Sequence, residues 1–229
     1  MIHHGISAVI VARNAERFLR AALQSVLEQT LPPAEVIVVD GNSEDATAEI
    51  ARSFSGVKYE LQKESGLANA RNQGIQSSVG EFIAFLDADD LWLPNKLKTQ
   101  LEHLHWKSEA MACLASVKLF LEPNVLLPSN YEPESFHKEQ IGYTPGAMLA
   151  RRTVFDRVGL FDPDLTIATD SDWFARFLDD KVPCAIIPDL VLFKRIHEGN
   201  ISRNLPRYRA ETYQVVRRSV KRKKNQDPA

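Results

Sequence analysis

In the N-terminal part of this chain, short apolar runs alternate with helical patterns, and this alternation limits the class of fold that the chain can adopt. Runs rich in β-branched residues, typical of buried strands, lie at residues 6–11, 36–39, 57–61 and from 82 onward. Segments with apolar residues at helical spacing separate them and predict helices near residues 46–54 and 66–77. This alternation predicts an α/β domain with a mainly parallel central sheet flanked by helices.

Other elements are predicted from caps, prolines and apolar runs. Asn14 is a favoured residue type for capping the first helix, and Pro94 suits the first turn of a later one. Residues 111–121 indicate a further strand. Residues 182–194 indicate two short strands on either side of Pro188, because proline cannot donate a backbone hydrogen bond to a sheet.

Polar residues follow several of the predicted strands. Because the carboxyl ends of parallel strands share one edge, where ligands bind in such sheets, we expect these residues to converge. They are Ala12 and Asn14 after the first strand, Asp40 after the second, and Asp87, Asp89 and Asp90 after the fourth. A nucleotide at this edge would place its base and ribose near Asp40, although Asp40 is also a suitable turn residue ahead of Ser43.

The acidic cluster after the fourth strand predicts a metal and diphosphate site. Three carboxylates lie within four residues, at Asp87, Asp89 and Asp90. Hard oxygen ligands of this kind suit Mg²⁺ or Mn²⁺ bridging to phosphate oxygens. The alternative is a polar turn that caps the next helix.

Arg71, on the helix predicted after Gly66, is a candidate phosphate contact. A guanidinium group can form paired hydrogen bonds to phosphate oxygens. The alternative is a solvated charge on an exposed helix face.

Composition excludes some classes of function. A net charge of -2 over 229 residues gives no reason to expect a nucleic-acid partner. No stretch approaches the roughly 20 apolar residues of a membrane span. The N-terminus runs directly into a predicted strand, so we expect a cytoplasmic protein. The cysteines, Cys113 and Cys184, lack metal-like spacing.

Five segments, in order and at similar spacing, resemble the family 2 glycosyltransferases. They read SAVIVARN, QSVLEQT, VIVVDGNSEDAT, GLANARNQGI and FLDADDLWLPNKL. The resemblance extends over about residues 6–202 and implies the GT-A fold, a nucleotide-sugar donor and a divalent metal. It gives a predicted glycosyltransferase domain at residues 1–202 and a basic C-terminal helix or tail at 203–229.

The resemblance also implies roles for individual residues. Asp40 would contact the uracil or other base, Asp87 the ribose or metal, and Asp89 the metal, with a UDP-sugar as the expected donor. The chain has VARN at residues 11–14, where members often have PTYN, and DGNS at 40–43, where DDGS is common. These departures leave the base preference open.

A second part of the resemblance concerns the catalytic base. The family pattern Glu-Asp-x-Asp-Leu-Trp is matched by residues 169–174, so that Asp170 takes the position of the base and Thr169 replaces the usual Glu. Glycosyl transfer needs such a carboxylate, because the attacking acceptor hydroxyl must lose its proton. The alternative for Asp170 and Asp172 is favourable placement of acids at a helix N-terminus.

The pattern His-x-x-Asn-x-Ser at residues 197–202 resembles the family's C-terminal segment. There the histidine can complete the metal or diphosphate site, and a neutral imidazole is a plausible metal ligand. His197 is therefore predicted as a ligand, with a structural or exposed histidine as the alternative.

Two segments bear on the acceptor. Residues 122–143 predict a long irregular stretch, which is either an acceptor-side loop or a plain surface insertion. Residues 203–229 form a basic tail, interpreted either as a solvated helix with a frayed end or as a peripheral contact with anionic lipid. The expected acceptor is a saccharide or a lipid-linked sugar in polysaccharide or glycoconjugate synthesis.

Competing functions must explain the same residues. The VARN segment provides neither the glycine-rich, lysine-containing loop of a sugar nucleotidyltransferase nor the Gly-x-Gly-x-x-Gly of a dehydrogenase. A non-catalytic nucleotide-sugar-binding or scaffolding subunit with the same fold remains the alternative to an enzyme.

Overall fold

A computed structural model describes residues 5–128 and 131–226. Three short segments lie outside the described residues: 1–4, at the N-terminus expected to run directly into a strand; 129–130, within the predicted irregular stretch; and 227–229, at the end of the predicted basic tail.

The N-terminal part alternates strands and helices, as the apolar pattern predicts. Its elements are β1 (Ile6–Ala12), α1 (Leu19–Leu27), β2 (Glu35–Asp40), α2 (Thr47–Arg52), β3 (Val57–Leu61), α3 (Leu67–Ser77) and β4 (Phe82–Asp87). The strands lie in the order β3-β2-β1-β4, and every neighbouring pair is parallel. The predicted α/β arrangement is confirmed for this part.

The C-terminal part completes a mixed sheet. Its elements are β5 (Leu91–Trp92), α4 (Lys96–Trp106), β6 (Ala112–Leu121), β7 (Glu139–Ile141), β8 (Met148–Arg151), α5 (Thr153–Val158), α6 (Thr169–Asp179), β9 (Cys184–Ile196) and α7 (Leu205–Gln226). Short 3₁₀ turns lie at Pro133–Phe136, Pro145–Ala147 and Ile201–Arg203.

The sheet continues from β4 in the order β8-β6-β9-β5, with β7 beside β6. Strand β8 inserts antiparallel between β4 and β6, whereas β6 and β9 are parallel. The expectation of a mainly parallel sheet therefore does not extend to this part. Within the described residues, no α-helix lies between β6 and β8 to return the chain to the other end of the sheet, as a parallel pair usually requires.

Two local predictions differ from the structure. Helix α1 begins at Leu19, and Asn14 lies outside it in a left-handed conformation with φ of 49°. Its side chain accepts a hydrogen bond from the Glu44 N–H at 2.9 Å, so Asn14 connects the loops after β1 and β2. Residues 184–196 form one strand, because register shifts opposite residues 114–117 accommodate Pro188.

Both faces of the central strands β1, β2 and β4 are buried, which explains why these strands read as nearly continuous apolar runs. In β1, Ala8 and Ile10 belong to one core cluster and Val9 and Val11 to the other. Helix α3 lies very close to β1 at Gly74, where an added Cβ would be 2.2 Å from Cγ1 of Val9. This close packing fixes the helix that carries Arg71, one turn earlier.

Helix α7 packs along α6. Val215 joins Leu165 and Ala168 in a small apolar cluster. The Glu211 carboxylate accepts hydrogen bonds from the backbone N–H groups of Thr166, Ile167 and Ala168, at 3.1, 2.8 and 2.9 Å. The domain boundary at residue 202 stays a prediction, but α7 is in close contact with the segment before it.

Candidate active site

A cavity of about 970 Å³ lies at the edge of the sheet where the parallel strands end. Its walls come from the loops after β1, β4 and β9, from α3 and α6, and from the first turns of α7. From the irregular segment, Tyr131 and Tyr143 also line the cavity. Of the strand-end residues expected to converge, Asn14, Asp87 and Asp89 line this cavity.

The acidic cluster lies on this edge because of the strand register. Asp87 is the last residue of β4 and pairs with Val11 of β1, while Ala12 pairs with Asp40 of β2. Asp87, Asp89 and Asp90 each offer a carboxylate oxygen, and these atoms lie within 4.8 Å of one another. Such a set of hard oxygen donors fits Mg²⁺ or Mn²⁺.

Arg71 joins the acidic cluster to α6. Its guanidinium is fully buried, donates to Asp87 Oδ1 at 3.0 Å through Nη2, and donates to Asp170 Oδ1 through Nη1. The same Nη1 lies 3.2 Å from the Thr169 hydroxyl oxygen. The alternative of a solvated helix-face charge is therefore wrong for Arg71.

Asp170 lies in the first turn of α6 and lines the cavity. Its side chain is 25% exposed, so the carboxylate contacts Arg71 on one side and remains accessible on the other. The Thr169 hydroxyl donates to Asp170 Oδ1 at 3.0 Å. Thr169, at the position where the family pattern has a Glu, thus contacts both Arg71 and Asp170 through its hydroxyl.

His197 is in contact with the acidic cluster. Its Nε2 lies 2.9 Å from Asp89 Oδ2, and the Asn200 amide donates to the same oxygen at 3.2 Å. The Gly199 N–H donates to His197 Nδ1 at 3.2 Å, which assigns the ring proton to Nε2 in the neutral form. The structure thus places His197 at Asp89, and its role as a metal ligand stays a prediction.

Asp90 differs from its neighbours in being almost completely buried. Its Oδ1 accepts the Arg195 N–H at 2.8 Å, which connects the turn after β4 to the end of β9. Burial raises the pKa of Asp90 well above its usual value, and the nearby Asp89 and Asp87 carboxylates raise it further, against the opposing effect of Lys194.

Lys194 of β9 is the second cation of the cluster. Its Nζ lies 3.8 Å from Asp90 Oδ2 and 4.0 Å from Asp87 Oδ2. Burial would lower the pKa of Lys194, but the carboxylates around it raise that pKa above its usual value. For the Asp87 carboxyl the effect of burial is opposite, since burial would raise its pKa, but Arg71 and Lys194 hold that pKa below its usual value.

The residues predicted to contact the base lie at the same edge but differ in exposure. Asp40 is buried, and its carboxylate accepts hydrogen bonds from the N–H and hydroxyl of Ser43 and from the Tyr59 hydroxyl, at 3.0, 2.5 and 2.8 Å. Asn14 lines the cavity, whereas the Ala12 carbonyl accepts the Gly41 N–H at 2.8 Å. The Asp40 carboxylate therefore stabilises the turn ahead of Ser43, which is the alternative role for this residue. Its contact with a base stays a prediction.

Sequence reasoning missed Lys194 as part of the site, and it missed Glu211 as the residue that holds the backbone just before α6. A lysine only three residues before His197 is a signal that could have identified Lys194. Glu211 carries no such signal, because its contact with residues 166–168 depends on how α7 packs.

Comparisons with known proteins agree with this geometry. The family model described as glycosyl transferase family 2 matches residues 7–159. An uncharacterized glycosyltransferase of Rickettsia typhi is 27% identical over 92% of this chain and 70% of its own length. The Escherichia coli protein WfgD, a UDP-Glc:α-D-GlcNAc-diphosphoundecaprenol β-1,3-glucosyltransferase, is 38% identical over 42% of this chain and 39% of its own length.

Two solved structures have the same fold. Staphylococcus aureus TarS in complex with UDP-GlcNAc superposes with a TM-score of 0.74 at 19% identity, covering 95% of this chain and 66% of that one. The Pyrobaculum calidifontis mannosyltransferase PcManGT, in complex with GDP-Man and Mn²⁺, gives a TM-score of 0.71 at 19% identity, covering 96% of this chain and 65% of that one. The chain thus spans about two thirds of the length of these structures.

The expected GT-A fold is confirmed by the sheet and by these structural matches. The acidic cluster at residues 87–90 fits the Asp-x-Asp motif of such proteins. Since the family model spans most of the chain, from residue 7 to residue 159, the chain belongs to glycosyl transferase family 2.

Proposed function

We propose that this chain is an inverting glycosyltransferase that moves a sugar from a nucleoside-diphosphate donor to an acceptor hydroxyl. The observation that carries the proposal is the contact of Arg71 with both Asp87 and Asp170 beside one cavity. A donor-side carboxylate and a base-side carboxylate are thereby held at the same site. A non-catalytic subunit would need neither this connection nor an accessible Asp170.

The chemistry assigned to the site is a single displacement. The acceptor oxygen attacks the anomeric carbon, the bond from that carbon to the diphosphate oxygen breaks, and the hydroxyl proton passes to Asp170. With one base on the face opposite the leaving group, the anomeric centre inverts, by analogy with inverting glycosidases. An α-linked donor would give a β-linked product.

Asp87 and Asp89 are the proposed metal ligands, with His197 as a further one. Their oxygens and imidazole form a donor set that suits Mg²⁺ or Mn²⁺, and Asp90 lies beside them. When bound, the metal would neutralise charge on the departing diphosphate. His197 would contribute through Nε2, with the ring proton then on Nδ1, so that Nδ1 would no longer accept the Gly199 N–H.

A UDP-sugar is the proposed donor, with its base near Asp40 and Asn14. TarS is solved with UDP-GlcNAc and WfgD is named as a UDP-Glc transferase, which supports uracil. PcManGT is solved with GDP-Man, so guanine is the competitor. The proposed acceptor is a saccharide or a lipid-linked sugar, as in the name of WfgD, and nucleic acid is not a proposed partner.

A panel of nucleotide sugars offered with candidate acceptors tests the proposal. Mass spectrometry should detect transfer from one donor class, and NMR of the product should show an inverted anomeric centre. Retention would overturn the mechanism. Donor binding by the wild-type chain with neither transfer nor hydrolysis across the panel would favour the non-catalytic subunit.

We also propose that the chain is cytoplasmic and that it contacts an anionic membrane peripherally. The contact would use the outward face of α7, which carries Tyr213, Val216 and Val220. Within the described residues, no helix combines the length and apolarity needed to cross a bilayer. Tyr213, Val216 and Val220 are 65%, 53% and 49% exposed at helical spacing, and the basic Arg217 and Lys221 lie beside them. Apolar and basic residues on one face suit the surface of an anionic bilayer.

Sedimentation with vesicles tests this contact. The wild-type chain should sediment with phosphatidylglycerol vesicles at low salt and much less at high salt or with phosphatidylcholine vesicles. Replacing Tyr213, Val216 and Val220 by serine should weaken the interaction. Absence of sedimentation at low salt would reject the contact.

A further inference from the structure

Lys194 places a positive charge where a metal would be expected. Its Nζ lies 3.8 Å from Asp90 Oδ2 and 4.0 Å from Asp87 Oδ2, and both residues belong to the acidic cluster. The main chain fixes this position, because Lys194 pairs with Leu119 in the parallel β6–β9 ladder and the next residue, Arg195, donates its N–H to Asp90.

The cations of the cluster differ in how firmly they are held. Arg71 is buried and hydrogen-bonded to Asp87 and Asp170. The Lys194 side chain is 30% exposed, lines the cavity, and lies at the outer limit of ion-pair distance from its carboxylates. Since a lysine has a flexible four-carbon stem, its ammonium can move into the cavity while Arg71 stays in place.

We propose that Lys194 is a built-in cation of the acidic cluster, which pairs with Asp87 and Asp90, competes with divalent metal for the cluster, and contacts the donor diphosphate once metal is bound. A divalent ion at these carboxylates and the ammonium repel each other, so binding of the ion drives Lys194 away from them. The cavity is the open direction for this movement, and it is where the proposed function places the diphosphate. The second half of this inference therefore rests on the proposed function.

Metal titration without nucleotide tests the competition. Lys194→Met should bind Mn²⁺ about tenfold more tightly than the wild-type chain, measured by electron paramagnetic resonance, because a like charge has been removed. Lys194→Arg keeps the charge and should remain near the wild-type affinity. Lys98→Met, which removes an exposed charge on α4, is the matched control. Unchanged or weaker Mn²⁺ binding by a folded Lys194→Met chain overturns the competition.

Nucleotide titration at saturating Mn²⁺ tests the diphosphate contact. UDP and GDP are both used as probes, and Lys194→Met should bind the preferred one about tenfold more weakly while Lys194→Arg retains most of the affinity. Equal affinity in the wild-type and Lys194→Met chains overturns this contact. If the wild-type chain binds neither nucleotide, the proposed function and the diphosphate contact both fail, and the Mn²⁺ titration still decides the competition.

Discussion

Arg71 and Asp170 are 99 residues apart in the sequence and form an ion pair beside the cavity. The pair fixes α3 to the first turn of α6. The second amino group of Arg71, Nη2, donates to Asp87 at the end of β4. One guanidinium thus sets the relative positions of two carboxylates that lie on different elements.

Replacing Arg71 by Met should affect stability as well as activity. Removal of the guanidinium leaves Asp87 and Asp170 without their common cation, and breaking a buried pair costs about 3–5 kcal/mol. Urea unfolding of Arg71→Met should show a loss of this order, and transfer should fall strongly. Arg20→Met, on the exposed face of α1, is the control. Equal stability of the two variants would contradict the buried-pair description.

Asp170→Asn should separate binding from catalysis. The amide keeps an oxygen near Arg71 but cannot accept the acceptor's proton, so the rate of transfer should fall by about 100-fold or more while UDP affinity changes little. Asp164→Asn, in the exposed loop before α6, should keep both properties. Near-normal turnover of Asp170→Asn would remove Asp170 from the role of base.

His197→Ala should weaken Mn²⁺ binding in the presence of nucleotide. The imidazole contacts Asp89 and is proposed to join it as a ligand, so its loss removes one donor atom. Calorimetry of Mn²⁺ binding with UDP present measures the effect, with the exposed His137→Ala as control. The same affinity in both variants would favour a structural histidine at Asp89.

Glu211→Ala should destabilise the chain in a pH-dependent manner. Burial would raise the pKa of Glu211, but hydrogen bonds from Ala168, Ile167 and Arg207 hold it below its usual value of 4.5. The unfolded state therefore binds the proton more readily, so the stabilisation is present above pH 4.5 and disappears as the pH falls through the folded-state pKa.

At neutral pH the loss in Glu211→Ala should be about 2–3 kcal/mol, as expected for hydrogen bonds to a buried charge. Thermal unfolding of this variant and of the exposed Glu102→Ala, measured from acidic to neutral pH, provides the comparison. A difference between the variants that stays constant with pH would contradict a role for the ionised carboxylate.

Gly74→Ala should disturb the packing of α3 on β1. The new Cβ would lie 2.2 Å from Val9 Cγ1, and overpacking of this kind costs about 1–3 kcal/mol. Because Arg71 lies one turn earlier on α3, activity should fall as well. The double variant Gly74→Ala with Val9→Ala should regain part of the lost activity, since it removes the clashing methyl group. Unfolding curves and transfer rates for both variants check this.

The residues that sequence predicted well are those whose position follows from a local rule. Asp87 lies at the cavity because it ends a parallel strand, and the strand pattern alone locates that end. Asp40 also ends a strand, but local hydrogen bonds from Ser43 and a contact with Tyr59 determine where its carboxylate points. Strand-end reasoning therefore locates a residue at the edge without fixing its side chain.

Long-range pairing determines the rest of the site. Lys194 reaches the acidic cluster only because β9 pairs in parallel with β6, and β8 enters antiparallel because the chain before it forms no crossover helix among the described residues. Neither pairing is indicated by a hydrophobic period or by a motif in the sequence. The resemblance to the family predicted the GT-A fold and the position of the base at Asp170. The contacts of Arg71 with both Asp170 and Asp87 are seen only in the structure.

The docking of α7 has a practical consequence for shortened forms of the protein. A chain cut at residue 202 would lose Glu211, leaving the N–H groups of Thr166, Ile167 and Ala168 without their acceptor. It would also remove Leu205, Tyr208 and Arg209 from the cavity wall. Truncation would therefore alter the surroundings of Asp170 together with the basic surface, and only point substitutions on the outward face of α7 separate the two effects.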